Sequence, residues 1–434
     1  MSLATPDAIR TLQRGLYAKA KAEPAFRFYL LYDKVYREDI LAHAYRLAKS
    51  NGGSPGVDGV RFSDIEAAGL QEWLAKLGKE LREETYKPSP VRRVMIPKPG
   101  GGERPLGIPT IRDRVAQTAA KLVLEPIFEA DFVDSAHGYR PGRSAQGAVE
   151  KVHRALCDGY TDVVDADLTK YFDSIPHDQL LRSVARRVSD RKLLRLIKAW
   201  LKAPVEETDE QGRRRLTGGR GSRAGTPQGG VISPLLANIY IHRFLRVFLE
   251  RGKDREFRAR LVNFADDFVI LSRGAAKPAL GWTRRVLAAI GLTLNETKTC
   301  IRDARKERFN FLGYSFGPDR FRKDGSWYLS AKPSPKAITR LKQDIRDRLR
   351  NGNMAPWGKV AASLNRLLRG WAGYFNYGTR SRAYHGIDRH VYDRVRHFLR
   401  RRHKVPTRGT RRFSWKTVFG KLGIVNLGAL RVRV

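Results

Sequence analysis

Apolar residues recur at helical spacing toward the carboxyl end: Ile338, Leu341, Ile345 and Leu349; then Val360, Leu364, Leu367 and Trp371; then Ile387, Val391, Val395 and Leu399. That spacing predicts three amphipathic helices. Earlier in the chain the period changes. Leu261-Val262-Asn263-Phe264-Ala265-Asp266-Asp267-Phe268-Val269-Ile270-Leu271 sets two adjacent acids between two apolar runs of strand length, which predicts a hairpin with the acids at its tip. Val163-Val164-Asp165-Ala166-Asp167-Leu168 predicts another strand, and alternation puts Asp165 and Asp167 on one face. Glycine-rich loops at 51–59, 99–102 and 212–230 punctuate mixed helix and strand patterns. The most apolar long stretch, 231–249, is broken by His242, Arg243 and Arg246, which excludes a bilayer-spanning helix. No membrane partner is expected.

Charge changes the picture. The 434 residues carry 84 Lys plus Arg against 44 Asp plus Glu, a net +40, so a polyanionic partner is expected. Residues 331–434 alone hold 26 Lys plus Arg against four acids. Arg369, Trp371, Arg394, Arg400 and Arg401 are therefore candidate RNA contacts, with the rings of Trp371, Tyr374, Phe375, Tyr377 and Tyr392 suited either to stacking on bases or to a helix-bundle core. Cys157 and Cys300 stand alone, which excludes a disulfide framework or a Cys-x-x-Cys zinc site and fits a reducing, cytoplasmic compartment. The first 22 residues lack the apolar core of a signal peptide. The chain has no Gly-x-x-x-x-Gly-Lys-Ser/Thr loop, and Gly219-Arg220-Gly221-Ser222-Arg223-Ala224 follows no strand pattern, so neither an NTPase motor nor a dinucleotide fold is supported.

Acids projecting from neighbouring buried strands repel one another unless cations lie between them. Mg²⁺ suits such a sparse set, completed by water and substrate phosphates, and two ions would serve an in-line phosphoryl displacement.

Phe264-Ala265-Asp266-Asp267 resembles the Tyr-x-Asp-Asp box of reverse transcriptases, and its companions follow in the family's order. They are Ile96-Pro97-Lys98-Pro99-Gly100-Gly101-Gly102-Glu103-Arg104-Pro105, Ser135-Ala136-His137-Gly138-Tyr139-Arg140, Tyr171-Phe172-Asp173, Thr226-Pro227-Gln228-Gly229-Gly230, Leu294-Asn295-Glu296-Thr297-Lys298 and Phe311-Leu312-Gly313-Tyr314. With Arg369-Gly370-Trp371-Ala372-Gly373-Tyr374-Phe375 the series resembles a group II intron-encoded reverse transcriptase and maturase of bacterial type.

The resemblance implies an α+β right-hand polymerase, with fingers and palm over 1–320, a helical thumb and maturase region over 321–404, and a short basic segment over 405–434 as a remnant DNA-binding region. It implies that Asp167, Asp266 and Asp267 are catalytic and hold two Mg²⁺, with Mn²⁺ as a substitute. It also implies that Lys98, Arg104, Phe172, Gln228, Lys298 and Gly313 contact the dNTP or the template-primer. Phe172 would crowd the sugar 2′ position, and Gly313 would belong to the grip on the primer end. The implied partners are intron RNA, an RNA template with a DNA primer, dNTPs and target DNA. No Cys-rich or His-Asn-His endonuclease module follows the helices, so target cleavage is not expected. Two other readings share these motifs: an RNA-binding maturase with little polymerase activity, and a polymerase recruited to phage defence or CRISPR spacer acquisition.

Overall fold

The computed structural model describes residues 3–97, 102–209, 211–321 and 323–430. Three long helices, Asp7–Ala22, Glu38–Asn51 and Phe62–Arg82, and the single turn Tyr32–Val35 open the chain, followed by strands β1 (Val91–Pro97) and β2 (Glu103–Ile108). Later strands are β3 (Asp162–Asp167), β4 (Pro204–Thr208), β5 (Arg214–Gly218), β6 (Ala259–Phe264), β7 (Asp267–Ser272), β8 (Cys300–Asp303), β9 (Phe309–Phe311), β10 (Tyr314–Arg320) and β11 (Trp327–Pro333). They form three sheets, ordered β2-β1-β4-β5, β6-β7-β3-β8 and β11-β10-β9. The architecture is α+β, because every pairing of these strands but β1 with β4 is antiparallel.

The β6-β7-β3-β8 sheet is covered on both faces, and its two-residue period sorts side chains between two cores. Val164, Ala166, Phe268 and Ile270 enter a core shared with the Ile111–Glu129 and Ser233–Glu250 helices. Val163, Val269 and Leu271 enter the other, against the Ala145–Cys157 helix and Phe309, Phe311, Tyr314 and Phe316. The Ser233–Glu250 helix accounts for the apolar stretch, with Leu236, Tyr240, Phe244 and Phe248 buried. No helix among the described residues is long and apolar enough to cross a membrane.

The first sheet is tied to its helices by Asp113, buried and accepting from Tyr86 Oη (2.5 Å), Thr110 Oγ1 (2.9 Å) and Ser89 N (3.1 Å), while Trp200 Nε1 donates to Tyr86 Oη (3.1 Å). The loop at 52–56 is also tied down. Arg114 donates to the carbonyls of Gly52 and Ser54, and a Cβ on Gly56 would meet Thr110 Cα at 2.7 Å.

The three carboxyl-terminal helices are Pro335–Arg348, Trp357–Tyr374 and Ser381–Arg402, and Leu341, Ile345, Val360, Leu364, Ile387, Val391 and Val395 meet in their core. Two boundaries differ from expectation. A division after residue 320 would cut the β10–β11 hairpin, which pairs from Tyr314↔Pro333 to Arg320↔Trp327, so the helical unit begins at Ser334, whose hydroxyl caps the next helix. Residues 405–430, expected as a separate segment, pack into the helical core through Phe413, Val418, Ile424 and Leu427. Asp388 draws them in by accepting from the N–H groups of Leu427 and Gly428, both at 2.8 Å.

Candidate active site

The acids at the tip come from a two-residue turn. Phe264 pairs with Asp267, leaving Ala265 and Asp266 as the central residues, and Ala265 alone of the two has positive φ, +58°. That is the turn family whose twist suits a tight hairpin, formed here at a strained position for a residue with a side chain. The strain is held by neighbours. Asn263 Nδ2 donates to Ala265 O (2.8 Å), Asn263 exchanges backbone hydrogen bonds with His137 N (2.9 Å) and Ser135 O (2.8 Å), and Asn238 Nδ2 donates to Gly138 O (2.6 Å). Gly138 lies so close to the Ala265 backbone that a Cβ there would collide with it. The 135–140 motif therefore braces the tip of the hairpin.

β3 lies between β7 and β8, with Asp167 directly opposite Asp267 and Asp165 opposite Val269. Opposed residues of an antiparallel pair share a face, so Asp165, Asp167 and Asp267 project to one side, and Asp266 joins them from the turn. Burial pushes the Asp267 carboxyl up to about 7, helped by the charges of Asp266 and Asp167. Burial raises Asp266 as well, with Asp167 adding to it and Arg104 and Lys298 opposing, and it pushes Asp165 up to about 6. Asp167 is the acid with cationic and amide support: Lys298 Nζ donates to Oδ2 at 3.0 Å and Asn295 Nδ2 at 3.3 Å.

This donor set favours positive charge. Among the described residues no three Asp, Glu, His or Cys side chains converge into a closed ligand set. An ion that takes one or two carboxylates and completes its shell with water and substrate phosphates needs none, and half-buried carboxylates crowded on one face fit such an ion.

An aromatic wall stands beside the acids. Phe172 is buried, its ring edge-on to Tyr139 at 6.4 Å, and Tyr139 lies 6.5 Å from Phe264. Tyr139 has φ +56° and is 48% exposed, and its phenol is raised by burial and then by Asp266. Opposite, Gln228 joins the β1–β2 hairpin to the body. Arg104 Nε donates to its Oε1 (2.9 Å), its Nε2 donates to Asp173 Oδ2 (3.1 Å), and its carbonyl accepts from Gly107 N (2.5 Å). A donor on one side and an acceptor on the other fix the orientation of the amide. Lys98 lies outside the described residues.

Gly313, φ +77°, forms the β9–β10 turn with Leu312, φ +49°. A Cβ on Gly313 would meet the Phe375 ring at 3.4 Å, and Tyr374 Oη donates to Leu312 O at 2.9 Å, so this turn rests on the carboxyl-terminal helices.

Those rings have protein partners. Trp371, half-buried, packs 4.8 Å from Phe375 and 5.8 Å from Tyr384 and contributes to two cores, the helix-bundle alternative of the two that its sequence position allows. Tyr377 packs on His153, and Tyr392 on Trp415. The arginines differ. Arg369 is exposed, Arg394 and Arg400 are half-buried, and Arg401 is exposed with Nη1 donating to Asn351 Oδ1 at 2.7 Å. The structure therefore gathers Asp167, Asp266, Asp267, Phe172 and Lys298 in one place, links Arg104 to Gln228, and leaves the helical arginines elsewhere. Tyr139, Asp173, Asn263 and Asn295 were not foreseen as site residues, since short polar and aromatic side chains inside a motif give no periodic signal of which atom they will face.

Residues 96–316 match the family described as "Reverse transcriptase (RNA-dependent DNA polymerase)", and residues 338–416 match "Group II intron, maturase-specific domain". The chain is 35% identical over 366 residues to protein YkfC of Escherichia coli K12, covering 76% of this chain and 93% of YkfC. It is 36% identical over 237 residues to the group II intron-encoded protein LtrA of Lactococcus lactis, covering 54% of this chain and 38% of LtrA. Among solved structures it resembles telomerase from Candida albicans with a fragment of telomeric RNA, at TM-score 0.43 and 12% identity over 82% of this chain and 70% of that one.

Proposed function

The chain belongs to the group II intron-encoded reverse transcriptases and maturases, RNA-directed DNA polymerases joined to a maturase domain, and we propose how its residues divide that work. Reverse transcriptases use divalent metal ions. Asp167, Asp266 and Asp267 would hold two Mg²⁺, or Mn²⁺ in their place, and what these supply when bound is activation of the primer 3′-hydroxyl and neutralisation of the leaving pyrophosphate. The observation that carries this reading is the register of β3 on β7, which sets Asp167 against Asp267 beside the turn that presents Asp266.

The surrounding residues bind and orient. Lys298, paired with Asp167 here, would turn to the triphosphate as the carboxylate takes up its ion. Arg104 would contact the same phosphates from the β1–β2 hairpin, with Gln228 aligned by Asp173 as the platform for the nucleotide and template. Phe172 with Tyr139 would exclude a 2′-hydroxyl, and the Gly313 turn, rigid against Phe375 and Tyr374, would support the primer end.

The helical unit from Ser334 onward would bind intron RNA, assist its splicing and present it as template. Arg369, Arg394, Arg400 and Arg401 are the proposed contacts, with target DNA supplying the primer. The test is primer extension on a defined RNA template with Mg²⁺ and dNTPs, comparing wild type with Asp266→Ala. Full-length cDNA from wild type alone is expected. Extension by both proteins, or by neither, would remove the carboxylate assignment.

A further inference from the structure

On the face of the Ser233–Glu250 helix away from the acidic hairpin lies a cavity of about 440 Å³. Its walls come from four places: Pro24 after the first helix, Phe128 and Asp131 at the end of the Ile111–Glu129 helix, the stretch 183–187, and the helix itself. The volume falls within the range of small-molecule sites, roughly 300–1,000 Å³. Its charge is one-sided. Arg186, Arg187, Arg243 and Arg246 face two carboxylates, Asp131 and Glu250.

The four arginines are not equally committed. Arg187 is structural, donating to Ala20 O (2.6 Å), Glu23 O (3.0 Å) and Pro24 O, and it pairs with Asp131 at 3.2 Å. Arg246 pairs with Glu250 at 3.1 Å. Arg243 is aimed without being neutralised, because its Nη1 donates to the neutral Gln179 Oε1 (2.7 Å) and its guanidinium lies 5.3 Å from the Tyr240 ring centroid. Arg186, whose side chain is exposed at the mouth, makes no hydrogen bond or ion pair among the described residues. Between them His242 buries an Nε2 without a partner. Burial and then Arg246 and Arg186 hold this imidazole down at about 4, so it is neutral at physiological pH. Crowded guanidinium groups beside an unpartnered ring nitrogen attract an anion, and guanidinium matches phosphate geometry with paired N–H donors.

We propose that this cavity is a phosphate-binding site separate from the nucleotide site, with Arg186 and Arg243 as its principal cationic contacts and His242 Nε2 as a further polar one. The phosphate belongs either to a small phosphate-bearing molecule or to a phosphodiester of bound RNA. Nothing in the polymerase reading uses these residues, and the proposal stands whether or not that reading does.

The test uses the full chain carrying Asp266→Ala, without divalent metal, so that the acidic site takes no part. Binding of inorganic pyrophosphate is measured by calorimetry, and binding of a 20-nucleotide RNA by fluorescence anisotropy across a salt series. Arg186→Ala with Arg243→Ala is compared with the parent, and Arg186→Ala alone, which removes no hydrogen bond or ion pair within the protein, guards against misfolding of the pair. A roughly tenfold loss of pyrophosphate affinity with RNA unaffected identifies a small anion as ligand. A loss of RNA affinity with the log–log salt slope reduced by about 0.7 per phosphate lost identifies a phosphodiester, since each phosphate left without its arginine keeps a counterion fraction that would otherwise be released. Unchanged affinity for both probes in both variants overturns the proposal.

Discussion

On the β3 and β7 strands, Asp165, Asp167 and Asp267 are brought to one face and half-buried together, and the sheet holds them there against their repulsion. In the helical unit the opposite charge is gathered without such closeness: Arg340, Arg346, Arg366, Arg369, Arg382 and Arg389 stand exposed on three helices. Among the described residues from 335 to 430, Arg396–Asp393 is the one ion pair. The acids are arranged atom by atom, as a metal site for chemistry requires, whereas the cations are spread over a surface, as binding a polyanion requires. The first arrangement is brittle, and the second degrades by degrees.

Asp266→Ala should separate the two regions most completely. Losing a carboxylate that holds metal should cost several kcal/mol of transition-state stabilisation, so extension should fall at least about a thousandfold. RNA affinity should stay within about twofold. Phe172→Ala comes next. Opening the wall beside the sugar should change discrimination between dNTPs and NTPs about tenfold, measured as the ratio of kcat/KM values. An unchanged ratio would leave Phe172 as core alone.

On the basic side, Arg366→Ala with Arg369→Ala should weaken RNA binding about tenfold at physiological salt. The log–log salt slope should flatten by about 0.7 for each phosphate of single-stranded RNA that is no longer neutralised. Asp388→Ala tests whether the carboxyl-terminal segment belongs to this unit. Two backbone N–H groups lose their acceptor, so a stability loss of about 1–3 kcal/mol is expected in denaturant unfolding.

A further effect concerns the cost of gathering acids. In the folded protein Asp267 titrates at about 7, well above its unfolded value of about 3.9. Between those values the folded state retains a proton that the unfolded state has lost, so the stability contribution falls as pH rises through that window. Asp267→Asn should therefore raise the melting midpoint of metal-free protein, with a larger gain at pH 8 than at pH 4. An equal gain at both would assign it to packing.

Local rules carry the legible part of this fold. The 261–271 hairpin and the shared face of Asp165 and Asp167 follow from period-two alternation and a turn, all within about ten residues. The three carboxyl-terminal helices follow from their apolar stripes. What periodicity does not contain is register between distant strands: Asp167 meets Asp267 across a hundred residues of chain. The same holds for Gln228, which finds Arg104 on one hairpin and Asp173 after β3. Ring stripes on the helices were compatible with stacking on bases or on protein. Trp371 went to protein because Phe375 and Tyr384 lie one helical turn and one loop away. The boundary at 320, taken from the family resemblance, falls inside a hairpin because β10 and β11 pair along their whole lengths, a register that the resemblance does not contain.

Whether chemistry and RNA binding reside in separate charged regions is decided by a paired measurement on one preparation series: cDNA extension rate and RNA dissociation constant for wild type, Asp266→Ala, and Arg366→Ala with Arg369→Ala. Loss of extension at full affinity is predicted for the first variant. For the second, affinity should weaken, with extension restored when RNA is saturating. Parallel loss of both quantities in both variants would contradict the separation.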